Sequence, residues 1–121
     1  KNNDGNKFKI LLKALLDKGT INRAVLESNS AYKFILIDSK NNIIRAEVQG
    51  SQKIPYAIDI NISEKVIEHN CPDFRTKRAE NKKFCKHIAK LFLLLKIKNE
   101  DLASYVLESI TKDINNWNFQ I

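Results

Sequence analysis

The chain has 121 residues, with 21 basic and 14 acidic side chains and a formal net charge of +7. Apolar residues make up 43% and charged residues 29%, a globular balance and not that of a disordered tail. Two cysteines exclude a disulfide framework, and the longest apolar run, Leu91 to Leu95, is far too short to span a bilayer. Three isolated glycines leave no phosphate-cradling loop of the dinucleotide or Walker type. No signal-peptide pattern is read at the start, and a chain that opens at Lys1 without any methionine reads as a piece of a longer one.

Taken in order, 6–18 predicts a helix, with Phe8, Leu11, Leu12 and Leu15 on one face and Gly19 as its stop. A second short helix runs from Thr20 to Glu27, and Ser28-Asn29-Ser30 breaks it. Strands follow at 32–37, 43–49, 54–62 and 66–69, joined by short polar turns that favour an antiparallel meander. The stretch 70–83 is polar, basic and irregular. Helical periodicity returns near Cys85, where Ile88, Leu91, Phe92 and Leu95 make one stripe. Leu93 and Ile97 lie on its other side and call for cover from a last helix, about 100–114 with Asn99 as N-cap, through Val106, Ile110 and Ile114. The expected architecture is α+β, a small antiparallel meander sheet with flanking helices. It divides into an N-terminal helical segment (1–30), sheet plus finger and its helix (31–98), and a closing helix (99–121), all within one compact domain.

Both histidines and both cysteines of the chain fall within 19 residues, as His69-x-Cys71 and Cys85-x-His87. In an extended strand, residues i and i+2 point the same way, so His69 and Cys71 offer donors in one direction. Cys85 and His87 fall where a helix begins, and its free N–H groups favour a thiolate. Two thiolates and two imidazoles form the tetrahedral set that suits one structural Zn2+ and leaves no open position. Two thiolates cancel the ion's charge.

The surrounding charge then matters. Residues 65–98 hold ten basic and three acidic side chains, the whole excess of the chain, and localised cations attract polyanions through counterion release. Arg75, Lys77, Arg78, Lys82 and Lys83 lie between the two ligand pairs, and Lys86 and Lys90 continue the surface along the helix. These seven are the expected phosphate contacts, with Phe74 and Phe84 as candidates for stacking on unpaired bases or for packing beside the metal.

Cys85-Lys86-His87-Ile88-Ala89-Lys90-Leu91, together with Cys71-Pro72 and the strands 46–51 and 55–60, resembles a SWIM zinc finger, whose pattern is C-x-C, a variable loop, then C-x-H opening a helix. His69 stands where that family has its first cysteine. The resemblance covers about 43–95 and implies DNA or protein binding, commonly in transposase-related, chromatin, recombination or repair assemblies.

The reading is a zinc-stabilised, non-catalytic nucleic-acid-binding module, with DNA the favoured partner, single strands included. The alternative is an interaction subunit whose finger braces a surface for a recombinase-like protein, motivated by Leu93, Ile97 and the terminal aromatics Trp117 and Phe119 near the C-terminal helices. With every His and Cys assigned to zinc, no imidazole base or thiol nucleophile remains for catalysis. A thiolate site belongs in a reducing, intracellular compartment, with neither a membrane nor a small-molecule substrate expected.

Overall fold

The computed structural model describes residues 2–121, with side chains from Asn6 onward. The helices α1 (Asn2–Ala14) and α2 (Thr20–Leu26) lead into strands β1 (Tyr32–Asp38), β2 (Ile43–Val48), β3 (Tyr56–Asn61) and β4 (Val66–His69). A π-helical turn, Phe74–Arg78, runs into the one-turn helix α3 (Ala79–Asn81). The longer helices α4 (Lys86–Lys98) and α5 (Glu100–Lys112) follow, and β5 (Asn118–Gln120) ends the described chain.

The fold is α+β around a five-stranded open sheet ordered β1-β2-β3-β4-β5. The first four strands form the antiparallel meander that the short polar turns predict, with Ile44 opposite Ile60 and Ile60 opposite Ile67. The fifth strand was not expected. It adds parallel to β4, with Val66 opposite Asn118, after a return through the whole helical half of the chain.

One face of the sheet carries the core. Ile44, Ala46, Val48, Ile58, Ile60 and Ile67 alternate inward and are buried, while Arg45, Glu47 and Glu68 face water. Helix α4 buries Ile88, Leu91, Phe92 and Leu95, each contributing about 1.5–3 kcal/mol relative to exposure. Its second apolar side is covered from within, because α2 and α5 both pack on α4 and α1 packs on α5. Ile97 alone of that side stays exposed, at 79%. Asn99 caps α5 as its position predicts, its side chain accepting from the Leu102 amide at 3.1 Å.

The first helix stops earlier than its apolar pattern indicates. After Ala14 the amides of Leu15 and Leu16 tighten onto the Leu12 and Lys13 carbonyls, and Leu15 still reaches the core. Gly19 serves the next helix instead: at φ +88° it turns the chain, and its carbonyl accepts from Arg23. No described helix is long and apolar enough to cross a membrane.

Candidate metal centre

The four donors arrive from two places. His69 is the last residue of β4, and Cys71 follows two residues later, after Asn70. Cys85 is the N-cap of α4, with extended backbone at ψ 175°, and His87 sits in the first turn. The loop between them folds back because its π-helical turn is internally bonded: Arg75 N–H donates to the Cys71 carbonyl, and Lys83 N–H to the Arg78 carbonyl, both at 3.0 Å. The left-handed backbone of Lys82 (φ +54°) ends α3 and aims the chain at Cys85.

The ligand atoms of His69, Cys71, Cys85 and His87 all lie within 4.8 Å of one another. Four donors bound at about 2.0–2.3 Å to one centre are separated by less than about 4 Å, so the cluster is contracted nearly to bonding separation. All four residues are buried, none more than 9% exposed as a whole residue.

The hydrogen bonds show which nitrogens face inward. His69 Nδ1 lies 2.6 Å from the carbonyl oxygen of Ala57; a carbonyl only accepts, so Nδ1 carries the proton and Nε2 presents a lone pair. That Nε2 and the Nδ1 of His87 are buried with no partner among the described residues. Two orphaned imidazole nitrogens facing two thiols are what a bound cation satisfies, since buried polar atoms otherwise find hydrogen bonds.

The sulfurs agree. Cys71 is held far below the ordinary thiol range, chiefly by the Cys85 thiol hydrogen-bonded to it, against the cost of burial, with His69 and His87 adding to the effect. Cys85 is pushed upward by burial and by Cys71. Two thiols compete for one negative charge, and a divalent cation lets both ionise. The donor set therefore fits one metal ion, as in a zinc finger.

No family model, curated protein or solved structure matches this chain.

Around the donors stand residues that sequence reading passed over. Tyr56 packs 5.5 Å from the His87 ring and 6.2 Å from that of His69, and Tyr32 lies 6.5 Å from His87. Both follow from the inward register, since Tyr32 and Tyr56 each face Val48. Glu27, just past α2, turns its carboxylate toward His87 Nε2. No spacing links residue 27 to residue 87; the only signal was an acidic residue at the end of a helix, between Leu26 and Ser28.

The seven expected phosphate contacts separate into three groups. Arg75 and Lys77 are exposed on the π-helical turn. Lys82, Lys83 and Lys86 are half-buried and tethered: Lys82 donates to the carbonyls of Ile114 and Asn115, Lys83 to that of Ala14, and Lys86 pairs with Glu27 at 3.3 Å. Arg78 and Lys90 leave the expected face, being 6% and 8% exposed. Arg78 turns inward because two carboxylates receive it, Asp17 from the α1–α2 turn and Asp73 at 3.0 Å. Phe74 and Phe84 are fully buried; Phe84 stacks on Phe92 at 5.3 Å, and Phe74 lies against Phe119. Both are core residues.

Proposed function

We propose that this chain is a non-catalytic nucleic-acid-binding module, built around one structural Zn2+ in a SWIM-type arrangement with DNA as its favoured partner. The convergence of four His/Cys donors with two inward, partnerless imidazole nitrogens carries the zinc part of this reading. Two sulfurs and two nitrogens suit a closed tetrahedral zinc site better than a hard oxygen-seeking ion. Its role is to fasten the end of β4 to the start of α4, so that its binding energy becomes folding energy.

The nucleic-acid part rests on charge. The excess of +7 lies in the segment that the ion would order, and Arg75 and Lys77 stand exposed on the turn between the ligand pairs. Lys82, Lys83 and Lys86 keep part of their surface in water beside them. Contacts of this kind neutralise phosphates without reading bases. Since Phe74 and Phe84 are enclosed, the reading drops base stacking by them and gives single strands no advantage from that source. A place in recombination or repair is what the SWIM resemblance implies.

The interaction-subunit alternative loses its aromatic anchors. Trp117 is fully buried and donates to the Ser109 carbonyl at 3.1 Å, and Phe119 packs on Phe74 and Phe84.

Zinc-loaded protein titrated against single- and double-stranded DNA and RNA across a salt series tests the proposal. Affinity should fall steeply with salt and depend little on sequence. A flat salt dependence, or no binding at low salt, refutes it.

A further inference from the structure

The carboxylate of Glu27 gathers three partners from two elements, Tyr32 of β1 and Lys86 and His87 of α4. Its Oε1 accepts from the Tyr32 hydroxyl at 3.1 Å and faces His87 Nε2 at 3.7 Å, while its Oε2 pairs with Lys86 Nζ at 3.3 Å. The Glu27 side chain is 22% exposed, and that of His87 11%. The His87 ring therefore has its Nδ1 aimed into the donor cluster and its Nε2 edge aimed at an anion. A carboxylate behind an imidazole fixes the tautomer and raises the basicity of the nitrogen that binds metal.

We infer that Glu27 is a positioning residue for the metal centre, holding His87 with Nδ1 toward the ion. The inference rests on the reading of His69, Cys71, Cys85 and His87 as a metal site. It also means that the centre is not confined to the finger's own sequence. Residue 27 is the C-cap of α2, and the turn before α2 is tied to the finger by two further links, Phe84 N–H to the Leu15 carbonyl at 2.8 Å and Arg78 to Asp17. The N-terminal helices supply the outer support for a ligand pair some sixty residues away.

Glu27→Gln keeps the shape and an acceptor oxygen but removes the charge. The variant and the unaltered chain are compared by competition for zinc against a chromophoric chelator, and by the visible absorption of their cobalt(II) forms. Zinc affinity should fall about 10–100-fold, and the cobalt bands should move because His87 is a weaker donor. Lys86→Gln, which removes another partner of Glu27 and leaves the carboxylate in place, should leave the cobalt bands unshifted. Unchanged affinity in Glu27→Gln overturns the inference. Reduced affinity with an unshifted cobalt spectrum also overturns it, because loosened packing alone does that. If the unaltered chain binds neither zinc nor cobalt, the metal-site reading itself fails, a result distinct from a metal-binding chain indifferent to residue 27.

Discussion

His69 and Ala57 are joined across neighbouring strands by a single hydrogen bond of 2.6 Å from Nδ1 to the backbone carbonyl. Because the acceptor is main chain, its position is set by the β3–β4 ladder, in which Ile58 faces His69. Sheet pairing thus selects the tautomer that leaves Nε2 free. His69→Ala removes the donor, and zinc affinity should drop by more than the roughly 10–100-fold typical of an outer support. His69→Cys supplies a donor without the Ala57 anchor and should fall between the two. Chelator competition at fixed pH ranks the three proteins.

Removing the ion should loosen the finger before the rest. Its ligands connect β4 to α4 across the π-helical turn, whereas α1 and α5 pack on each other outside it. A chelator should lower the midpoint of thermal unfolding and speed amide exchange over 66–91 more than in α5. Cys85→Ser should reproduce that pattern without chelator. Uniform loss of protection along the chain would instead make the ion a requirement for the entire fold.

Two arginines three residues apart should behave in opposite ways. Arg78 lies between Asp17 and Asp73, and Arg78→Ala should destabilise the protein by about 1–3 kcal/mol, since both carboxylates are half-exposed and can rehydrate. Arg75→Ala should leave stability unchanged to within about 0.5 kcal/mol and weaken nucleic-acid binding while making its salt slope shallower. Denaturant curves and salt titrations on both variants check the contrast.

Acid should weaken contacts remote from the metal centre as well. A hydrogen bond from Lys65 holds Asp113 below the ordinary carboxylate range, and one from Lys7 does the same for Glu108. A carboxyl depressed in the folded state contributes stability above its unfolded pKa and loses it as pH falls through the folded value, here below about pH 4. Asp113→Asn should flatten the acid limb of a stability-against-pH curve while costing little stability in high salt, where a part-exposed pair is screened.

Trp117→Ala should cost about 3–5 kcal/mol. The indole is fully enclosed and its N–H is used inside the protein, so the loss should appear in urea unfolding.

Much of this was legible in the residues. Alternation gave β2 and β3 to within two residues, because Ile44, Ala46, Val48 and Ile58, Ile60 each fill one face of a sheet covered on that side only. The convergence of His69, Cys71, Cys85 and His87 was legible for a different reason: no other histidine or cysteine competes for the role. The short strand Asn118–Gln120 was not, since three residues carry no period and its pairing with β4 is purely a matter of tertiary contact. Nor could composition separate Arg78 from Arg75. That distinction depends on Asp17, which the folded chain brings up from sixty residues away. Glu27 escaped for the same reason.

The parallel pairing of β4 with β5 sets an order of events. The strand that ends in His69 has β3 as a neighbour as soon as its hairpin closes, but its other edge waits for Asn118–Gln120, about fifty residues later. On a ribosome that edge leaves the exit tunnel bare, a template for pairing with other chains. An ion caught once His87 has emerged would hold β4 against α4 during the wait, making the metal a guard against premature aggregation during synthesis.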